Sequence, residues 1–586
     1  MNQSLRVSPL SISSCLSTWI CVSALLTASA VAQVNGPGPS PSTDFDIVLN
    51  LPEDQAVITG VIGGVAGQTT QLNVSVGGVI GDSFDANSGS EVNISGGTVG
   101  NSARARSGSE VNISGGTVGD RFSALEGSVM SISGATFGSS FSALNGSDVE
   151  LIGGEFRLNG ADFTGGTISL AGGGFFTGTL ADGSSFIFSG DDFDRLASVT
   201  LTVGPLPPLD LNPIVINTPV VSGHSGLRPG QTLTLQTGGS LLRDNFAVVD
   251  AELNVEAGVL GDGVEAYNSL VNISGGTVGT SFDAFAGSEV NISGGNVGSG
   301  FRVRSGSVVN ISEGTIGQGF FALAGEVNIS GGTFGSGFNA GSGVSINGGT
   351  FGNGFVGRDA FNISDGTFGD NFTVATPISN EVATISGGTF GDNFTVEGFG
   401  QVNISGGMIG DGARFENGST INISGGTIGS FRAVSDFFAS PFFIDQTVVN
   451  VSGGIIGDNF NVGSDSVLNI FGSEFFIDGV PMVGLQLGQA VSIRDRDVTI
   501  SGVLADGEPF SFDSDTISVN ATLTVTLTAP CLLGDCNQNG VVNFSDIPSF
   551  IGILQSGSFL KQADCNEDDV VDFSDIPAFI SILSSQ

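Results

Sequence analysis

A stretch of sequence at Gly108–Phe122, Gly-Ser-Glu-Val-Asn-Ile-Ser-Gly-Gly-Thr-Val-Gly-Asp-Arg-Phe, returns in variant form along most of the chain, and no other feature narrows the possible folds as much. Taking the Asn of Val-Asn-Ile-Ser as the anchor, one array is anchored at Asn73, Asn93, Asn112, Ser131, Glu150 and Ser169. A second is anchored at Asn254, Asn272, Asn291, Asn310, Asn328, Ser345, Asn362, Thr384, Asn403, Asn422, Asn450 and Asn469. The commonest interval is 19 residues, as from 93 to 112 and from 272 to 291. A short repeat rich in Gly, Val and Ile predicts a solenoid, because one such unit cannot bury its apolar face without neighbours stacked on it.

The distribution of apolar residues within a repeat predicts its strands. Val111 and Ile113 flank Asn112, an alternation that sends Val and Ile to one face and Asn to the other. Gly115-Gly116 and Gly119 interrupt the run, so three short strands joined at tight corners are expected per coil. Phe recurs ten residues after the anchor, at Phe122, Phe141, Phe282, Phe301, Phe320, Phe338, Phe355, Phe372, Phe394 and Phe460. Coils stacked at the ~4.8 Å strand spacing would pile these rings into an aromatic ladder. The fold class expected is all-β, a parallel β-solenoid of about 19 residues per coil, right-handed by the general rule for crossovers.

The arrays end alike. Leu180-Ala-Asp-Gly-Ser-Ser-Phe-Ile-Phe-Ser matches Leu504-Ala-Asp-Gly-Glu-Pro-Phe-Ser-Phe-Asp, and Gly154-Glu-Phe-Arg-Leu-Asn-Gly matches Ser473-Glu-Phe-Phe-Ile-Asp-Gly. One module made twice, the second lengthened by extra coils, accounts for this, and the distinct ends are caps that cover core and strand edges. The expected division is a signal peptide (1–32), a flexible leader (33–43), a first module with its cap (44–204) and a Pro-rich connector (205–219). A second, longer module with its cap (220–529) and a C-terminal domain (531–586) complete it.

Three polar rows follow the repeat. Asn-Ile-Ser occurs in nine copies, each a glycosylation sequon. A hydrogen-bonded Asn ladder from coil to coil explains the row without glycans. Asp120, Asp262, Asp370, Asp392, Asp411 and Asp458 sit eight residues after their anchors, where Asn353, Ser299, Ser336 or Thr280 stands in other coils. That interchange predicts a turn side chain bonded to its own backbone, with a calcium-binding edge as the functional alternative. Arg104 with Arg106, and Arg302 with Arg304, occupy equivalent places. They are expected as ion-pair partners, the alternative being a site for an acidic sugar.

Composition bears on partners. The net charge is −41 and Lys561 is the only lysine, which argues against nucleic acid and anionic membranes. The leader carries Arg6, the apolar run Trp19–Leu26 and Ala30-Val31-Ala32 before Gln33, the pattern of a secretory signal peptide cleaved after Ala32. A secreted or cell-surface protein without a membrane span is expected. Cys531, Cys536 and Cys565 then remain, with three pairings open. His224, the single histidine, lies far from them, which excludes a zinc site of their making.

The strongest chemical pattern is in the last residues. Asp535-Cys-Asn537-Gln-Asn539-Gly-Val541-Val-Asn543-Phe-Ser-Asp546 is matched by Asp564-Cys-Asn566-Glu-Asp568-Asp-Val570-Val-Asp572-Phe-Ser-Asp575. Oxygen side chains fall at loop positions 1, 3, 5, 9 and 12, with a backbone carbonyl at 7, the spacing by which a twelve-residue loop wraps calcium. Each loop leads into an apolar segment expected to be helical, with Pro548 or Pro577 in its first turn.

Over 531–586 the chain resembles the dockerin family, duplicated calcium-binding modules that bind cohesin domains. The resemblance implies two calcium ions. Asp535, Asn537, Asn539, Val541, Asn543 and Asp546 would hold one, and Asp564, Asn566, Asp568, Val570, Asp572 and Asp575 the other. It further implies that Phe544, Ser545, Phe573 and Ser574, at positions 10 and 11, face a cohesin-like partner. Asp569 stands where the family usually has Gly, which implies a weaker second site. The expected function is that of a non-catalytic extracellular surface, matrix or adhesion protein docked through its tail, with an extracellular glycan as a further candidate partner. The alternative is a dockerin-tethered polysaccharide-active lyase or hydrolase of β-helix type.

Overall fold

The computed structural model describes the strands Cys21–Leu25, Ala30–Gly36, Phe45–Leu49 and Asp54–Ile62, and then residues 70–585 except for short stretches. Those stretches are 171–173, 190–194, 221–225, 243–244, 323, 377–381, 399, 417, 435–445, 458–459, 529–531, 538–540, 557–561 and 567–569. His224, Asp458 and Cys531 therefore lie outside the described residues. The chain divides into two compact units, Met1–Glu289 and Val290–Gln586.

Both units are built from β-solenoid coils of about 19 residues. In the first, Asn73 pairs with Asn93, Asn93 with Asn112, Asn112 with Ser131 and Ser131 with Glu150, all in parallel strands. Three strands make a coil: Leu270–Ile273, Thr277–Val278 and Asp283–Ala284 are one example. Within the strand Ser90–Val99 of an earlier coil Gly97 has φ +77, and a Cβ there would lie 2.2 Å from the carbonyl oxygen of Gly78, so only glycine fits.

The register differs from expectation at four places. Ser169 is not a rung: its strand, Gly166–Leu170, runs antiparallel to Arg195–Val203, and Thr200 is the partner of Glu150. Residues between Gly154 and Ser189 instead form antiparallel hairpins that fold over the end of the first array. The Pro-rich connector already carries coil backbone, with Ile214–Ile216 parallel to Leu233–Leu235 and Pro219–Val220 parallel to Ser240–Leu241. Proline suits these edge positions because no strand precedes them to need its missing N–H. Finally, Gln33–Gly36 of the expected flexible leader pairs with Val57–Gly60, and the Ala30–Gly36 strand spans the expected cleavage point after Ala32.

The first array's hairpins pack on the opening coils of the second. Ile187, Ala247, Val249, Tyr267 and Phe285 form one buried cluster, with Phe175 against it. Around it Glu155 accepts from Arg228, and Arg157 donates to Asp250 and Asp162. Glu155 sits at a bulge with φ +54, a strained angle for a residue with a side chain, costing about 1–3 kcal/mol.

In the second unit the expected Phe ladder is present and is joined by another. Phe338, Phe355, Phe372 and Phe394 stack with centroids 4.6–5.1 Å apart and planes within 6°. A parallel column of Phe334, Phe351, Phe368 and Phe390 stacks at 4.6–4.7 Å. The two meet edge to face at 83–89°, placing positive ring edges on negative ring faces.

The Asn ladder runs as expected, for example Asn422 to Asn403 at 2.8 Å and Asn450 to Asn422 at 2.7 Å. The Asp row differs: Asp120, Asp262, Asp370 and Asp392 each accept from the next coil, not from their own turn. Asp392 Oδ1 receives the Asp411 amide at 2.9 Å, and Asn353 and Asp370 act alike toward Asp370 and Asp392. Arg104 and Arg106 both pair with Asp85, one coil earlier, at 2.7 and 2.9 Å.

Candidate metal centre

The two C-terminal loops repeat each other bond for bond. Asp546 Oδ1 accepts from the Asn537 amide at 3.0 Å and its Oδ2 from the Asn543 amide at 2.9 Å. Asp575 accepts from Asn566 and Asp572 at 3.1 and 2.8 Å. The last carboxylate of each loop thus closes it, and in the first loop Asn543 and Asp546 form a capping box that starts the helical segment. Helices Ile547–Ser556 and Asp575–Ser584 follow, with Pro548 and Pro577 within the first turn as expected. Phe550 and Phe579 stack between them at 4.0 Å.

Burial sets the electrostatics. Asp546, Asp564 and Asp575 are fully buried and Asp535 is 3% exposed. A buried carboxylate is stable only when hydrogen-bonded and charge-compensated, yet the single basic residue of 531–586 is Lys561. An ionised carboxylate has about four acceptor sites, so the two amide bonds to Asp546 leave capacity for a cation. Ser574 donates to Asp572 and holds that carboxyl below the usual range. Among the described residues no three His, Cys, Asp or Glu side chains converge as a metal-holding group. Position 5 of each loop, Asn539 and Asp568, lies outside them, as does Asp569, and the remaining donors of the first loop are Asn side chains and the Val541 carbonyl. The donor set, all oxygen and rich in carboxylate, suits a hard divalent cation such as calcium.

Phe544 and Phe573 are 77% and 78% exposed, so both rings face outward. Ser545 and Ser574 are different. Each hydroxyl accepts from the Asn at position 3 of its own loop, Asn537 or Asn566, at 2.8 Å. Val541 and Val570 are also exposed.

Cys536 and Cys565, at position 2 of each loop, are two of the three cysteines whose pairing the sequence leaves open. Both are buried, both carry free thiols, and both point at the Gln562 carbonyl, at 3.8 and 3.5 Å. Burial pushes both thiols up to about 12. Equal spacing in the two loops is the signal that identifies them as facing core residues.

Among the described residues no helix is long and apolar enough to cross a membrane. No protein-family model matches the chain, and no curated protein is similar to it.

Proposed function

We propose that the chain is an exported, non-catalytic extracellular protein. In this reading the solenoid is a display or spacer element, and the tail is a dockerin-like module that binds two calcium ions and docks a cohesin-like partner. Calcium supplies positive charge beside the buried carboxylates and, when bound, ties the two loops to their helices. The observation that carries the reading is the burial of Asp535, Asp546, Asp564 and Asp575 in a segment with one basic residue. Phe544 and Phe573 supply apolar contact area on each loop. The engagement of Arg104 and Arg106 by Asp85 supports the non-catalytic reading over a polysaccharide-active enzyme, whose acidic-sugar site would need a free guanidinium.

Calorimetric titration of the intact chain with calcium tests the core of this. Two binding events are expected, with one lost in Asp546→Ala and the other in Asp575→Ala. Absence of calcium-dependent heat would end the metal reading. For docking, capture by a panel of cohesin domains should require calcium and fail in the Phe544→Ala, Phe573→Ala double variant; capture indifferent to both would end the docking reading alone.

A further inference from the structure

The two modules end on the same architecture but fill it differently. In the first, the coil strand Val129–Phe137 lies under the hairpin strand Ser185–Ser189, and Phe137 is 9% exposed between them. Its ring meets Phe141 at 5.3 Å and Phe188 at 5.7 Å, edge to face in both cases. The equivalent strands of the second module are Val448–Ile456 and Pro509–Asp513. There Ile456 replaces Phe137, Gly454 replaces Ala135 and Val451 replaces Ile132, each a loss of side-chain volume. Phe460 and Phe512, the counterparts of Phe141 and Phe188, remain, 5.0 Å apart. The missing volume appears as a cavity of about 240 Å³ lined by Phe431, Ile456, Phe460, Leu504, Phe510 and Phe512, with no charged side chain among the described residues of its wall. Ile455, Pro509 and Ser511, all exposed, stand at its mouth.

We infer that this cavity is a binding site for a small uncharged aromatic molecule. Phe431, Phe460, Phe510 and Phe512 put four aromatic rings in the wall, so an apolar ring gains contacts there that water does not. The first module shows what the space accepts: a benzyl group, held by the same two Phe rings. An apolar cavity of roughly 150 Å³ takes up benzene, so 240 Å³ suits one or two fused rings. Leaving such space unfilled destabilises a core in proportion to its volume, and the first module carries a larger side chain at three of the equivalent positions. The site is separate from the calcium loops and does not depend on the function proposed for them.

The test uses the full chain with indole and naphthalene as probes, followed by saturation-transfer NMR and thermal shift. Wild-type protein should bind a probe. Ile456→Phe, which restores the residue of the first module, should weaken binding at least tenfold while raising the melting temperature. Val451→Ile, a smaller filling, should weaken it less. Equal saturation transfer to wild-type and Ile456→Phe protein would overturn the proposal. So would a wild-type chain that binds neither probe.

Discussion

Arg228 donates from Nη2 and Nε to the two carboxylate oxygens of Glu155, 73 residues earlier, at 2.8 and 3.2 Å. The guanidinium is 8% exposed, and its Nη1 also reaches the Pro207 carbonyl at 2.8 Å. Around this pair the hairpins of the first array are fastened to the coils that follow.

Burial alone would raise the pKa of Glu155, but hydrogen bonds from Arg228 and Thr179 outweigh it and hold the carboxyl below its ordinary value. The folded value is thus lower than the unfolded one. The stabilisation is fully present above the unfolded value, about 4.3, and is lost as pH falls through the folded value. Thermal unfolding followed from pH 6 down to pH 3 should show the junction weakening below about pH 4, and Glu155→Gln should flatten that dependence. An unchanged profile in the variant would remove Glu155 from the account.

Phe355 is 1% exposed, stacked between Phe338 and Phe372 and edge-on to Phe351 and Phe368. Phe355→Ala should destabilise the second unit by about 3–5 kcal/mol, the range for emptying a buried aromatic site. Phe355→Leu should cost less, and denaturant unfolding monitored by circular dichroism separates the two. A loss under 1 kcal/mol in the Ala variant would mean that the columns are not a cooperative core.

Because Asp392 acts through one oxygen on the Asp411 amide, Asp392→Asn should be nearly neutral, as Asn353 fills the same role toward Asp370. Asp392→Ala should cost about 0.5–1.5 kcal/mol. If the row were a calcium edge instead, the Asn variant would lose a calcium-dependent rise in melting temperature. Measuring both variants with and without calcium decides between the two roles.

With both thiols pushed up to about 12 by burial, Cys536 and Cys565 should react with iodoacetamide at pH 8 far more slowly in the folded chain than in urea. Mass analysis of the C-terminal peptides reads this directly. Modification at equal rates in both conditions would show that the tail's core is open.

Much of the coil was legible in the sequence because its constraints are periodic. Val111, Ile113 and Phe122 could be assigned to the interior from spacing alone, and all three are buried. The second aromatic column was not legible, since Phe334 and Phe351 occupy a position that holds Val278 or Ile316 in other coils and so reads as generically apolar. Ser169 kept the repeat's spacing by coincidence, whereas the true rung, Thr200, follows an inserted antiparallel hairpin that no period announces. Glu155 and Arg228 were invisible for a related reason: a charge pair distant in sequence leaves no pattern. In the tail the ligand spacing was plain, but the Ser545 and Ser574 bonds to Asn537 and Asn566 depend on side-chain rotation, which spacing does not encode.

The Asn ladder has a direction. In the second unit Asn310, Asn328, Asn422, Asn450 and Asn469 each donate to the Asn of the preceding coil, and Thr524 supplies the last bond from its hydroxyl to Asn469 at 2.6 Å. Aligned side-chain dipoles add as peptide dipoles do in a helix, so the column is an electric arrow as well as a seam. Thr524 works as its full stop: a hydroxyl can donate to the coil below and leaves no amide facing onward. A coil inserted anywhere below it keeps every bond pointing the same way, so the array can change its number of coils and still finish on the same residue.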